Sequence, residues 1–291
     1  MCQLFAVSAD HKININDELA SFISRSDVHK HGWGYIDFTG HHVAGKRETI
    51  PAFASPFLRE KLASPFEVSH ALFHIRYATV GAVDIRNTHP LTALDIDGRQ
   101  WAIIHNGTIF NGDKLNRFFH SQTGDTDTER LLLGLMERIN SRIKDSRVPL
   151  TDAERFKLVN KTLTEAAAGN KLNVIISDSD LLYVHGNSPH GSRLLGSAAA
   201  DDYIYTLGPS ADQTADQPAD QTEGTAAAAG IKHASLFSTV PLDDRDWQPV
   251  KINTVFAYKD GRVIFEGPQH DHEYIETEAD IHDLYQGFAS L

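Results

Sequence analysis

Alternation and helical spacing divide this chain into strands at both ends and two long helices in the middle. Gln3 to Val7 is apolar enough for a buried strand. A short helix follows, capped by Asn14 or Asn16, with Leu19, Phe22 and Ile23 on one face. Alternation resumes at Tyr35-Ile36-Asp37-Phe38, and Ala52 to Ala63 reads as a helix interrupted at its start by Pro56. Ala71 to Thr79 and Trp101 to Ile104 are strand candidates rich in aromatic and β-branched residues. Asn87 to Pro90 between them is a turn by composition.

The clearest helix starts near Gly124 to Glu129. Thr126 and Glu129 have the spacing of a capping box, and Leu131, Leu132, Leu135, Met136, Ile139 and Ile143 form an apolar stripe. A second box, Thr151 to Glu154, opens a helix with Phe156, Val159 and Leu163 inward that stops at Gly169. Short strands are expected at 173–176, 181–184, 203–207, 235–238, 254–258 and 263–265, with Asp260-Gly261 as the hairpin turn between the last two. Strands, then two helices, then strands again predict helices packed on sheet in a layered α+β fold.

Two stretches break the pattern. Residues 209–230 hold three consecutive copies of Ala-Asp-Gln-x and then four alanines, too little apolar surface to offset ordering entropy. This predicts a mobile surface loop within a single domain spanning 1–291. Beyond Arg262 there is no lysine or arginine but seven acidic residues from Glu266 onward, which predicts an acidic strap over 266–291 with a short helix around Ile275 to Leu284.

Composition narrows the function. The formal net charge of −12 argues against a broad phosphate-binding surface, so nucleic acid is not an expected partner. No apolar stretch approaches the roughly 18 residues of a membrane span, and no basic, apolar leader opens the chain. A cytoplasmic location is expected.

The single cysteine is residue 2. If Met1 is removed, Cys2 carries a thiol beside a free α-amine of pKa about 7.7–8.0, a nucleophile with its own general base. An incidental residue at a fraying terminus is the alternative at this point. Arg76 ends an apolar strand and needs a partner: it is either a solvated edge residue or a bidentate clamp for a carboxylate. His31-Gly32-Trp33-Gly34 is either a hairpin corner or a close backbone approach. His105-Asn106-Gly107 is either a plain turn or a pair of amide donors aimed at an oxyanion. Asp125 and Asp127 favour a helix dipole whatever else they do.

Met1-Cys2, His31 to Gly34, His74 to Thr79, His105 to Gly107 and Asp125 to Glu129, in this order, resemble the class II glutamine amidotransferase domain of the N-terminal nucleophile hydrolases, most closely its free-standing type. The resemblance covers roughly the first 140 residues and weakens afterwards. It implies a four-layer αββα sandwich with the nucleophile at the start of a central strand. It further implies attack by Cys2 on the γ-amide of glutamine or a γ-glutamyl conjugate through a thioester, releasing ammonia or an amine. Asn106 and Gly107 would stabilise the oxyanion. Arg76 and Thr79 would hold the α-carboxylate and Asp127 the α-ammonium. Gly32 and Trp33 would line the pocket, and His105 would stand with the substrate-binding residues. No cofactor or metal is implied. Tyr77 replaces the tryptophan frequent in synthase-linked members, and no synthase domain follows in this sequence, so the acceptor stays open. An ammonia-donating subunit of a separate synthase, a homo-oligomer, and a non-catalytic glutamine-binding protein are the remaining alternatives.

Overall fold

The computed structural model describes residues 2–40, 42–78, 81–188, 203–208, 233–280 and 282. The first half runs β1 (Gln3–Asn14), α1 (Asn16–Ser24), β2 (Trp33–Asp37), β3 (Ala44–Glu48), α2 (Pro56–Leu62), β4 (Glu67–Ile75), β5 (Leu91–Leu94) and β6 (Gln100–Thr108). Then come α3 (Asp127–Ser146), α4 (Asp152–Ala167), β7 (Lys171–Ser177) and β8 (Leu182–His185). The remaining strands are β9 (Tyr205–Leu207), β10 (Ala234–Ser238), β11 (Gln248–Pro249), β12 (Phe256–Lys259) and β13 (Arg262–Glu266).

They form two sheets. One has the order β11-β9-β10-β1-β4-β2-β3, the other β13-β12-β8-β7-β6-β5. Period 2 sorts each central strand into two faces. On β1, Phe5 and Val7 join Leu19, Phe22 and Leu58 in a core under α1 and α2, whereas Leu4 and Ala6 join Ala102, Ile104 and Ile175 between the sheets. On β6, Trp101 and Ile103 face Leu131, Leu135 and Val159 of α3 and α4. Three apolar layers thus separate helices, sheet, sheet and helices, which is the expected αββα sandwich. β1 is central in its sheet, paired antiparallel with β4 (Gln3 with Ile75) and β10 (Phe5 with Ser238).

Local chemistry explains most element ends. Ser55 caps α2 by accepting the Leu58 N–H at 3.3 Å, and Pro56 takes the first helical position, where its missing N–H costs nothing. Pro56 therefore starts this helix and does not interrupt it. The Thr151 box is complete, with each partner accepting from the other's backbone. The Thr126 box is half made: Thr126 accepts from Glu129 N–H, but the Glu129 carboxylate turns back to the N–H groups of Thr123 and Gly124 at 2.6 and 2.7 Å. The N-cap of α1 is Ile15, with no side-chain bond. Asn16 lies inside that helix, and its amide reaches the carbonyls of Leu62, the last residue of α2, and Ser64 just past it.

The strand expected over 71–79 runs instead from Glu67 to Ile75, because pairing with β1 and β2 ends at Ile75. The Asn106-Gly107 pair is not a turn, since β6 continues through it against Asn173 and Leu172 of β7. β3, β5 and β11 were not foreseen: all three are edge strands, and β11 is only two residues long. Asp260 and Gly261 make the expected hairpin turn, with φ of 52° and 73°. Within the strap, residues 278–280 are helical. The low-complexity stretch at 209–230 lies outside the described residues.

Candidate active site

The inner faces of the two sheets converge on one end of the sandwich. Cys2 stands two residues before Leu4 and shares its inward parity. The Cys2 Sγ contacts the main chain of Tyr77 twice, accepting its N–H at 3.4 Å and donating to its carbonyl at 3.5 Å. Burial pushes the thiol above its ordinary pKa. The hydrogen bond from Tyr77 and the Arg76 charge pull it down, and Asp127 adds to the rise. Burial thus favours the neutral thiol over the thiolate.

Arg76 is buried immediately past the end of β4. Its guanidinium donates to the carbonyls of Ala82 and Gly81 at 2.9 and 3.0 Å, and its own N–H to the Gly32 carbonyl at 2.8 Å. Burial lowers its pKa, while Cys2, Asp125, Asp84 and Asp127 act against that, so negative groups surround this cation. Gly32 has φ +123°, and a Cβ there would meet the Glu48 carbonyl at 2.8 Å, so only glycine fits. The loop beyond Arg76 is held by His31, whose Nδ1 accepts the Ala78 N–H at 2.8 Å and whose ring lies 5.1 Å from that of Tyr77.

Across the inter-sheet space, Asn106 has the inward parity of Ala102 and Ile104. It is fully buried, and neither Oδ1 nor Nδ2 has a hydrogen-bond partner among the described residues. The next residue fits only as glycine, since a Cβ on Gly107 would lie 2.0 Å from the Lys171 carbonyl. Asp127 opens α3, with Oδ2 accepting from Ile109 N–H at 2.7 Å and Oδ1 from Thr128 N–H at 2.7 Å. The carboxylate is thereby anchored to the loop that leaves Gly107.

Not every expected residue faces this space. The Trp33 indole is buried on the other side of its sheet, stacked on Tyr35 and Phe57, with its N–H on Glu48 at 3.1 Å. The parity that sends Leu72 and His74 inward sends Trp33 outward, so the indole does not line the pocket. His105 also points outward, to Thr128 and the Lys171 carbonyl. Thr79 lies outside the described residues. The sequence reading missed the grip of the Tyr77 main chain on the thiol, because a backbone contact leaves no residue-type signature. It also missed Asn87, which exchanges hydrogen bonds with Asp125 at 2.5 and 3.0 Å, although an asparagine beside Thr-His-Pro was a visible candidate for bracing a loop. Buried among these residues, the His74 and His89 rings lie 4.5 Å apart, tilted by 46°, and burial together with the Arg76 charge lowers the pKa of His74 to about 3.

Known proteins resemble this chain in sequence or in fold. The Escherichia coli (strain K12) protein YafJ, named provisionally as a glutamine amidotransferase, is 28% identical over 181 residues, covering 61% of this chain and 70% of YafJ. A Pseudomonas aeruginosa structure described as a predicted glutamine amidotransferase superposes with a TM-score of 0.59 at 18% identity, over 91% of this chain and all of its own. Glutamine phosphoribosylpyrophosphate amidotransferase from Bacillus subtilis superposes at 0.58 with 15% identity, over 92% of this chain and 49% of that longer one, a likeness of fold. The sequence model of the class-II glutamine amidotransferases matches residues 1–280, and with that extent of match the chain belongs to the class-II glutamine amidotransferase family.

Proposed function

We propose that this chain hydrolyses the γ-amide of glutamine, or of a γ-glutamyl conjugate, through a thioester on Cys2. Family membership implies glutamine amide hydrolysis; the nucleophile, the residue roles and the larger substrate are this proposal. The observation that carries it is the Asn106 amide: buried, without a partner among the described residues, and on the face that confronts the strand following Cys2. A buried amide with two open hydrogen-bonding atoms usually costs about 1–3 kcal/mol, a cost that persists where an incoming group supplies the missing partner.

In the proposed sequence Met1 is absent and the Cys2 α-amine takes the thiol proton. Sγ adds to the amide carbon, and the carbonyl oxygen becomes an oxyanion held by Asn106 Nδ2–H and Gly107 N–H. The C–N bond breaks as the α-ammonium returns its proton to the leaving nitrogen, freeing ammonia or an amine. Water then adds to the thioester and releases glutamate. Arg76 and Thr79 hold the α-carboxylate, whose two oxygens match the fork of a guanidinium. Asp127 takes the α-ammonium, and Gly32 lets the main chain approach Arg76.

The test is glutamate release from glutamine, glutathione and other γ-glutamyl amides, with Cys2→Ala as control and intact mass to establish the N-terminus. Release that requires Cys2 in a protein lacking Met1 is the expected result. Turnover by Cys2→Ala, or by protein that keeps Met1, would overturn the mechanism. Preference for a larger amide over glutamine would assign the conjugate as substrate.

A further inference from the structure

Two ties bracket Asn106 and Gly107. Ile109 N–H is bonded to Asp127 Oδ2 on one side. On the other, the His105 ring spans β7 and α3, with Nε2 3.2 Å from the Lys171 carbonyl and Nδ1 2.9 Å from Thr128 Oγ1. The hydrogens of the second tie follow from chemistry. A carbonyl only accepts, so Nε2 carries the hydrogen. Burial disfavours a second proton on this ring, so Nδ1 is bare and accepts from the Thr128 hydroxyl. The same hydroxyl oxygen is 3.3 Å from Asp127 Oδ1. With its hydrogen turned to His105, it leaves the carboxylate charge undiminished and available to a cation.

We infer that Thr128 is a positioning residue, whose buried hydroxyl pins the first turn of α3 to His105 and so fixes the Asp127 carboxylate relative to the Asn106 amide. The inference rests on the proposed roles of Asp127 and Asn106. A substrate amino acid touches both, one at its α-ammonium and one at its side-chain carbonyl, so their spacing decides whether both ends are met together. Thr128 is only 2% exposed and touches no solvent-facing partner in this arrangement. The ammonium contact exists in ground and transition states alike, so its loss belongs in KM and not in kcat.

Thr128→Val keeps the shape and removes the hydroxyl; Thr128→Ser keeps the hydroxyl. Steady-state glutaminase kinetics should show KM raised at least about tenfold in Thr128→Val with kcat within about threefold, and both constants within about threefold of the parent in Thr128→Ser. Asp127→Ala should raise KM as well, and adding Thr128→Val to it should have no further effect, because the hydroxyl acts through that carboxylate. If Thr128→Val keeps a normal KM while Asp127→Ala raises it, this inference fails and the reading of Asp127 survives. If Asp127→Ala has a normal KM, that reading fails and takes the inference with it. Thermal melting reports whether each variant is folded. Should Thr128→Val not fold, Thr128→Ala against Thr128→Ser carries the same comparison, and equal KM in those two overturns it.

Discussion

Asn106 and Cys2 put opposite demands on their surroundings. The amide of Asn106 makes no hydrogen bond among the described residues, so truncating it forfeits no internal bond. Asn106→Ala should therefore lower kcat by about 10²–10³, the usual cost of one oxyanion donor, with the melting temperature nearly unchanged. A large fall in stability with near-normal kcat would make this asparagine structural. Cys2 is held in the opposite sense, its thiol raised in pKa chiefly by burial. Alkylation of Cys2 followed by mass spectrometry should accelerate with pH around a midpoint above that of an exposed cysteine peptide run in parallel, and a lower midpoint would show a preformed thiolate. Cys2, Arg76, Asn106, Gly107 and Asp127 were singled out as candidates by the ordered motifs that resemble the family, since each alone admitted a plain structural reading. Tyr77 was legible only as a ring, whereas its main chain grips the thiol.

Helix ends show how far motif spacing reaches. Thr126 with Glu129 and Thr151 with Glu154 have the same spacing, yet only the second closes both halves of its box. Glu129 goes to Thr123 and Gly124 because the chain entering α3 folds back over the first turn, and no local pattern reports that path. Thr151→Ala should cost about 1 kcal/mol in denaturant unfolding, as N-cap truncations do; no change would mean that the cap is replaced by solvent. The long helices and the central strands were legible from apolar periodicity alone. β3 and β5 were not, since an edge strand needs no continuous apolar face, and β4 was displaced because its end is set by Gln3 of β1, far away in sequence.

The assembled sandwich encloses several neutral histidines. Burial is the main cause that lowers both His74 and His185 to about 3. The unfolded chain protonates such rings near pH 6.5, so their contribution is complete above that pH and is lost progressively as pH falls from about 6.5 toward 3. Between pH 7.5 and 5.0 the loss should be on the order of 2 kcal/mol per histidine, read from urea midpoints. A flat profile would contradict the burial of neutral rings. The stretch read as low-complexity joins strands that are already partners: Leu207 of β9 pairs with Leu236 of β10. Replacing residues 211–229 by a two-residue turn should therefore leave melting and glutamate release unchanged, and loss of either would assign that stretch a part in the fold or the reaction. Placing Cys2 directly before a central strand has one more consequence. That strand is closed on one side by residues 234–238, and Thr239 exchanges hydrogen bonds with Leu4 at 3.1 and 3.2 Å. The amino end of that strand is therefore closed by a partner 235 positions farther along the chain. A chain cut before residue 234 would thus leave the strand beside Cys2 with an open edge, its hydrogen-bonding groups unmet.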